Sequence, residues 1–300
     1  MSIQTRKMPR IGFIMPYFGA WPFWLPFFIE SCRTNPSVDW LFYTDCPPIS
    51  DCPPNVHIIP ISYQAYCKRI STQLGITFDQ PNPYKLCDIR PAFGYIHKDE
   101  LHEYDFWAFG DIDLVWGNLR AYFTAERLAQ KDLFSTHARR ISGHCCLLRN
   151  VPHIREAFLR IPRWQERFTT PEHQALDEGA FSRRFIRHKS WPAPLARIAN
   201  TFNPLNRRAE FIEAYSTPGA KIAWTDGQYR FPLRWYWRHG ELTNDLDGKH
   251  TFPYFHFIVW KKNDWKTLTP PSTETLAALA ASGAWQIDAQ GFHPHNTHRL

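Results

Sequence analysis

The chain has 300 residues and a formal net charge of +7, with 44% hydrophobic and 21% charged residues. This composition excludes an intrinsically disordered chain, and the length allows one large α/β domain with a sizeable core. The glycine motifs of dinucleotide-binding oxidoreductases, P-loop NTPases and α/β-hydrolases are absent from the sequence, which argues against those three classes.

Short apolar runs alternate with amphipathic stretches over the first 150 residues. This alternation predicts an α/β fold in which a mostly parallel central sheet is flanked by helices. The predicted elements are strands at 10–15, 40–44, 56–59, 104–109, 132–136 and 145–149, and helices at 21–33, 62–74, 84–96 and 179–188. Ser62 is expected to cap the helix that it begins, and Pro91 to break or kink the helical stretch around it.

Seven cysteines are scattered along the chain without a CxxC pair or a zinc-ligand spacing. This usage predicts reduced thiols in a cytoplasmic protein. The first residues are not followed by the apolar core of a secretory signal, and the aromatic run 18–29 is interrupted by Pro22 and Pro26. We therefore expect no transmembrane helix.

The segment 183–208 contains seven cationic residues and no acidic residue, which equals the net charge of the whole chain. Three interpretations are open: contact with an anionic membrane surface or an acidic lipid-linked acceptor, contact with nucleic acid, or a solvated basic face. No recognised nucleic-acid-binding motif accompanies the charge, so no nucleic-acid partner is expected. The corresponding location is cytoplasmic, with peripheral contact at the inner face of the cytoplasmic membrane.

Asp111 and Asp113 directly follow the very apolar predicted strand 104–109. Residues two apart at the end of a strand project to the same side, and two adjacent carboxylates suit a divalent cation such as Mn²⁺ or Mg²⁺. A second copy of the pattern, Asp245-Leu246-Asp247, has no apolar strand before it and is predicted to be a turn. The first copy is therefore the candidate metal site, although a phosphatase or nuclease with a carboxylate-bound metal fits it too.

A wider set of motifs surrounds this pair: Pro16-Tyr17-Phe18-Gly19, Phe42-Tyr43-Thr44-Asp45, Pro83-Tyr84-Lys85-Leu86-Cys87-Asp88, Gly110-Asp111-Ile112-Asp113, Ser142-Gly143-His144 and Asp177-Glu178. Together they resemble an uncharacterised bacterial family associated with polysaccharide biosynthesis and, more distantly, glycosyltransferases of the GT-A fold. The resemblance covers about residues 10–265. It implies a single GT-A domain over residues 1–300, with a nucleotide-sugar-binding half (10–150), an acceptor-side half (151–270) and a C-terminal tail (271–300).

The resemblance implies donor-binding roles for several residues. Pro16, Tyr17 and Phe18 would shape the pocket for the nucleotide base, and Asp45 would approach the base or the ribose. Lys85 would meet a phosphate and Asp88 a hydroxyl of the donor sugar, but an intrahelical ion pair is an equally open interpretation of residues three apart.

It also implies roles around the metal and the acceptor. Asp111 and Asp113 would hold the metal and the donor diphosphate, with His256 completing the metal ligands and Lys261 meeting the diphosphate. A buried core histidine is the alternative for His256. Asp177 or Glu178 would be the catalytic carboxylate, with helix N-terminal acids as the alternative, while Ser142, Gly143 and His144 would border the acceptor.

The expected function is metal-dependent transfer of a sugar from a nucleotide-sugar donor, by analogy a UDP-sugar, to a hydroxyl of a bacterial surface glycan or lipid-linked saccharide. The alternatives are a metal-dependent phosphodiesterase or nucleotidyltransferase, and a non-catalytic sugar-binding protein. The donor sugar, the acceptor and the inverting or retaining outcome are left open by the sequence.

Overall fold

Short strands and helices alternate along the chain. The computed structural model describes residues 8–188, 191–219 and 222–295. The strands are β1 (Ile11–Pro16), β2 (Val38–Thr44), β3 (Val56–Pro60), β4 (Phe106–Gly110), β5 (Leu114–Trp116), β6 (Leu133–Ser135), β7 (Cys145–Arg149), β8 (Ala209–Phe211), β9 (Trp235–Arg238), β10 (Glu241–Asn244), β11 (Tyr254–His256), β12 (Ala284–Asp288) and β13 (Gly291–Pro294). The α-helices are α1 (Leu25–Arg33), α2 (Tyr63–Leu74), α3 (Leu86–Ile89), α4 (Phe93–Ile96), α5 (Leu119–Tyr122), α6 (Ala125–Gln130), α7 (Pro152–Arg155), α8 (Trp164–Thr169), α9 (Ser182–Phe185), α10 (Ala193–Thr201), α11 (Pro204–Arg207), α12 (Ile258–Lys262) and α13 (Thr273–Ala281).

The central sheet of the described chain has the strand order β3-β2-β1-β4-β7-β6-β8. Its strands pair in parallel except for β7, which is antiparallel to both of its neighbours. The predicted α/β fold with a mostly parallel central sheet and flanking helices is therefore confirmed.

Apolar side chains cover both faces of this sheet. Along β1, Ile14 faces one buried cluster, whereas Phe13 and Met15 face the other. This alternation follows from the strand geometry, and it explains why β1 reads as a continuous apolar run rather than as alternating residues. The sheet is thus fixed between two cores, and its strand ends are held in place.

The predicted strands of the first half lie close to the observed ones, but two helices differ from prediction. The first begins at Leu25 rather than at residue 21, because residues 23 and 24 form a turn before it. Pro26 then occupies the first helical turn, where its missing N–H costs nothing. The predicted helix 179–188 is a π-helical turn, Asp177–Phe181, followed by the short α9. The Ser62 cap is confirmed, since its hydroxyl accepts a hydrogen bond from Ala65 N.

A second sheet, with the order β10-β9-β12-β13, is built by the C-terminal part of the chain. Its core includes Trp237 and Trp285, whose rings stack with centroids 4.6 Å apart. The segment 271–300 is therefore no simple tail: α13, β12 and β13 belong to this sheet and its packing, and only residues 296–300 lie outside the described residues.

A two-stranded antiparallel ribbon of β5 and β11 connects the two sheets, with His256 opposite Leu114. The indole Nε1 of Trp237 donates a hydrogen bond to the carbonyl of Trp116, 2.8 Å away, and so fixes β5 against the second sheet. The other Asp-x-Asp copy, after β10, is a turn as predicted, because Asn244 Oδ1 accepts from the backbone N–H groups of Leu246 and Asp247.

Within the described residues, each helix is either too short or too polar to cross a bilayer. The seven cysteines all carry free thiol groups, which agrees with the predicted absence of disulfides.

Candidate metal and substrate site

A cavity of about 640 Å³ opens at the carboxyl ends of β1 and β4. Residues 15–18, which end and follow β1, line one side, and residues 110–113, which end and follow β4, line another. Ligands of open α/β sheets bind at this edge, because neighbouring parallel strands all end there and leave a crevice. The cavity therefore lies where the sheet topology favours a ligand site.

Asp111, Asp113 and His256 form a cluster at the base of this cavity. One potential ligand atom from each residue lies within 4.8 Å of the others. His256 Nε2 is 3.7 Å from Asp111 Oδ2 and 3.6 Å from Asp113 Oδ1. The predicted convergence of these three side chains is therefore present in the fold.

The orientation of His256 favours ligation through Nε2. Its Nδ1 is 3.2 Å from the hydroxyl of Thr217, whereas Nε2 is buried and has no hydrogen-bond partner among the described residues. A hydrogen bond at one ring nitrogen fixes the ring and leaves the other nitrogen available for a metal. Two carboxylates and an imidazole nitrogen fit Mn²⁺ well, and Mg²⁺ through the oxygen ligands.

Lys261, on the helix that follows β11, also belongs to the site. Its ammonium group contacts Asp113 Oδ2 and lies over the Trp24 ring, with Nζ 5.8 Å from the ring centroid. Burial alone would raise the pKa of Asp113, but the adjacent side chains of His256 and Lys261 outweigh it and hold that pKa well below its ordinary value. Asp113 is therefore an ionised carboxylate in a nearly water-free setting.

Arg90 links the metal cluster to the predicted catalytic carboxylates. Its guanidinium contacts Asp111, donates to the carbonyl of Gly143 at 2.9 Å and lies 3.4 Å from Asp177 Oδ2. The two carboxylates raise the pKa of Arg90 despite its burial, so it is a permanent cation. Sequence reasoning missed this residue because Pro91 beside it marked the segment as a helix break. Its position next to the Lys85 and Asp88 motif was the available signal.

Asp177 and Glu178, on the π-helical turn, also line the cavity. Burial is the main reason that the pKa of Asp177 is raised to about 6, with Arg90 acting in the opposite direction. Glu178 is half-exposed, and its carboxylate lies 3.0 Å from Arg140. Buried carboxylates with raised pKa values are typical of catalytic acids and bases.

The three residues of the predicted acceptor-side motif do not all face the cavity. Gly143 and His144 line the cavity, but the hydroxyl of Ser142 is buried and accepts from Cys145 N at 3.3 Å. His144 stacks on His256 with ring centroids 4.4 Å apart. Burial, and then His256, lower the pKa of His144 well below its ordinary value, so a neutral ring lies against the metal cluster.

The structure places Lys85 and Asp88 away from the cavity. Both side chains are buried, and Lys85 Nζ donates to Asp88 Oδ2 at 2.9 Å and to the carbonyls of Arg167 and Glu172. Asp88 also accepts from two backbone N–H groups of the loop before the π-helical turn. With their hydrogen-bonding capacity used internally, the two residues form the ion pair that was the alternative to donor binding, and they position the loop that carries Asp177.

Of the remaining donor-side predictions, the three residues at the end of β1 line the cavity and Asp45 does not. Pro16, Tyr17 and Phe18 line the cavity as expected. Asp45 is exposed beside them and accepts from Gly19 N at 2.8 Å, so it shapes the loop after β1. Tyr84 and His173 also line the cavity, and the exposed ring of Tyr84 packs edge-on against His173, with centroids 4.7 Å apart. Sequence reasoning named neither ring as a site residue.

Comparison with known proteins adds a family assignment. No curated protein matches the sequence significantly. A model for a family of unknown function (DUF6625) matches residues 13–277, which include the candidate metal ligands, Arg90 and both carboxylates of the π-helical turn. The chain therefore belongs to the DUF6625 family of unknown function.

Proposed function

We propose that this protein is a metal-dependent glycosyltransferase of the GT-A type that uses a nucleotide-sugar donor, by analogy a UDP-sugar. The observation that carries the proposal is the Asp111, Asp113 and His256 cluster at the carboxyl edge of the sheet, inside a cavity of about 640 Å³. A cavity of this size is typical of sites for small molecules and cofactors. The single antiparallel strand next to β4 in an otherwise parallel sheet is compatible with the GT-A type.

Mn²⁺ or Mg²⁺ held by this cluster would neutralise the charge of the donor diphosphate as it departs. Lys261 extends the positive charge on the same wall of the cavity. Tyr17 and Phe18 offer aromatic surface to the nucleotide base on the adjacent wall. These residues together account for a base, a diphosphate and a cation in one continuous site.

Asp177 is our preferred candidate for the catalytic carboxylate. In an inverting reaction, a base must take the proton of the acceptor hydroxyl while its oxygen attacks the anomeric carbon and the nucleoside diphosphate leaves. A carboxylate whose pKa is raised to about 6 is ionised at neutral pH and more basic than an ordinary aspartate. In a retaining reaction, Asp177 and Glu178 would instead stabilise the positive charge that develops on the donor sugar.

The acceptor is a hydroxyl of a surface glycan or a lipid-linked saccharide. The rim on the Asp177 side supports a saccharide because the Tyr84 ring is 58% exposed there, next to His173. Exposed rings offer an apolar face to sugars while leaving their hydroxyl groups solvated.

The decisive experiment measures thermal stability with a panel of nucleotide sugars, with and without Mn²⁺. A ligand that binds only the folded state raises the unfolding temperature. We expect a shift that needs both the metal and a nucleotide sugar, and that is lost in the double variant Asp111→Asn with Asp113→Asn. The matched control carries Asp79→Asn with Asp99→Asn, which changes two exposed carboxylates elsewhere.

The product of the best-binding donor separates the rival functions. Release of a nucleoside diphosphate, with sugar on an acceptor or on water, supports the proposal. Release of a nucleoside monophosphate would show cleavage within the diphosphate, and the protein would be a phosphodiesterase or nucleotidyltransferase. Binding of saccharides without nucleotide or turnover would show a sugar-binding protein instead.

A further inference from the structure

Helix α10 presents its apolar side to solvent. Leu195, Ile198 and Phe202, at the end of the helix, are 53%, 59% and 82% exposed, and Trp191 before it is 48% exposed. The spacings of three and four residues place Leu195, Ile198 and Phe202 on one face. An amphipathic helix of a globular protein normally buries this face, because removing apolar surface from water is favourable.

Polar residues hold the opposite side of the segment against the protein. Asn200 is buried, and its amide accepts from Arg187 N at 2.8 Å and donates to the carbonyls of Arg187 and Ala196. Asn203 is also buried and donates to the carbonyls of Arg184 and Phe185. The amphipathic order is therefore inverted: amides point inward and the apolar side chains point outward.

Positive charge lies beside this segment, because the backbone of residues 184, 185 and 187 is hydrogen-bonded to Asn200 and Asn203. Arg183 and Arg187 are exposed on and after α9, and no Asp or Glu occurs in the sequence between Glu178 and Glu210. Burial, and then the like charges of Arg187 and Arg160, lower the pKa of Arg184. Arg208 differs from the others because Asp132 pairs with it at 2.5 Å. Lys189 of the same basic segment lies outside the described residues.

We propose that α10 and the arginines of α9 form a docking surface for an anionic lipid bilayer, with Leu195, Ile198 and Phe202 inserted at the headgroup boundary. Apolar side chains flanked by guanidinium groups match the apolar and phosphate layers of such a surface. Nucleic acid would use the charge but would gain little from aliphatic side chains. The combination therefore selects a lipid surface as the partner.

The docking surface is continuous with the cavity along the chain. The π-helical turn that carries Asp177 and Glu178 runs directly into α9. Helix α9 contacts α11, which in turn contacts α10. The docking surface and the cavity are thus joined by one continuous stretch of chain. The inference rests on surface chemistry alone and stands whether or not the cavity transfers sugar.

The test is sedimentation of the 300-residue protein with vesicles of phosphatidylcholine alone or of phosphatidylcholine mixed with phosphatidylglycerol. We expect binding to the anionic vesicles and none to the neutral ones. Arg183→Gln with Arg187→Gln should weaken binding about fivefold for each charge removed. The triple variant Leu195→Ser, Ile198→Ser and Phe202→Ser should lower binding to the level measured on neutral vesicles.

Two control variants keep the result interpretable. Tyr229→Ser with Leu233→Ser removes similarly exposed apolar side chains from the loop before β9, and Lys249→Gln with Lys266→Gln removes two exposed charges. Both should bind as the wild type does, and the thermal unfolding of every variant verifies its fold. Equal binding of the triple variant and the wild type would overturn the proposal.

Two further outcomes would also overturn it. One is binding to a labelled RNA or DNA duplex together with no binding to anionic vesicles. The other is a dimer, seen by light scattering without vesicles, that the triple variant dissociates, because the exposed face would then belong to a contact between two copies.

Discussion

Nε2 of His256 lies 3.6 Å from Oδ1 of Asp113, too far for a hydrogen bond and close enough for both atoms to bind one ion. Buried polar groups are nearly always satisfied, and each exception in a folded protein calls for an explanation. A bound divalent cation would explain this exception. It would accept the lone pair of Nε2 and balance the negative charge of the two carboxylates.

We predict that substitutions at this cluster weaken Mn²⁺ binding in a defined order. Thr217→Val keeps the side-chain volume but removes the hydroxyl that orients His256. Loss of a hydrogen bond that orients a metal ligand typically lowers metal affinity by roughly 10–100-fold. His256→Asn should cost more, since it removes the ligand itself. Titration followed by electron paramagnetic resonance of free Mn²⁺ measures both. A Thr217→Val effect larger than that of His256→Asn would contradict the arrangement.

The rate of sugar transfer should depend on the ionisation of Asp177. A base must be deprotonated, so kcat/KM should fall about tenfold per pH unit below the pKa, which is raised to about 6, and should be level above it. Asp177→Asn should abolish most of the activity and also the fall of kcat/KM at low pH. Glu178→Gln should keep that fall. The opposite pattern in the two variants would assign the catalytic role to Glu178.

Gly143 provides a steric test of the site with a matched control. A Cβ atom at this position would lie 2.9 Å from Asp177 Oδ2 and 3.1 Å from Arg90 Nη1, whereas a Cβ at Gly179 would meet nothing within 4 Å. Gly143→Ala should therefore displace these two groups and lower kcat at least tenfold, about 1.4 kcal/mol of transition-state stabilisation. Gly179→Ala should leave kcat near the wild-type value. Equal kinetics for the two variants would show that the Arg90 and Asp177 geometry is not critical.

The buried Lys85 and Asp88 pair should matter for stability rather than for donor affinity. Lys85→Met leaves a buried carboxylate without its cation, which costs about 3–5 kcal/mol of unfolding free energy. Glu166→Gln, in the exposed pair with Arg163, should cost roughly 0–1 kcal/mol. Urea denaturation compares the two. A Lys85→Met variant with unchanged stability and a raised KM would return this lysine to the donor site.

Local sequence patterns predicted the parts of the fold that depend on neighbouring residues. The buried strands, the Ser62 cap and the position of Asp111 and Asp113 after β4 follow from apolar runs and turn chemistry. The second sheet was not predicted, because it is assembled from two short hairpins, β9–β10 and β12–β13, that join only through the distant pairing of β9 with β12. Thr217 was hidden because it lies in a loop 39 residues before His256 and meets it only where His256 N donates a hydrogen bond to the carbonyl of Ser216.

Lys85 and Arg90 illustrate a second limit. Both are cations in one helical segment near the site, and the sequence does not say which one faces the cavity. Pro91 and the preceding helical turns rotate Arg90 toward Asp111 and leave Lys85 inside the protein. Side-chain direction in a broken helix depends on tertiary packing. The residue types therefore predicted a positive charge in the site, but not that Arg90 rather than Lys85 carries it.

The β5 and β11 ribbon gives the candidate metal a mechanical role. Asp113 directly precedes β5 and His256 ends β11, so the ribbon holds together two ligands that are far apart in the sequence, and the second sheet braces it through the hydrogen bond from Trp237 to Trp116. An ion shared by these two ligands is a cross-link that closes a loop containing nearly all of the acceptor-side half. Closing so long a loop restricts the unfolded chain, so metal loading would make the two halves unfold as one cooperative unit.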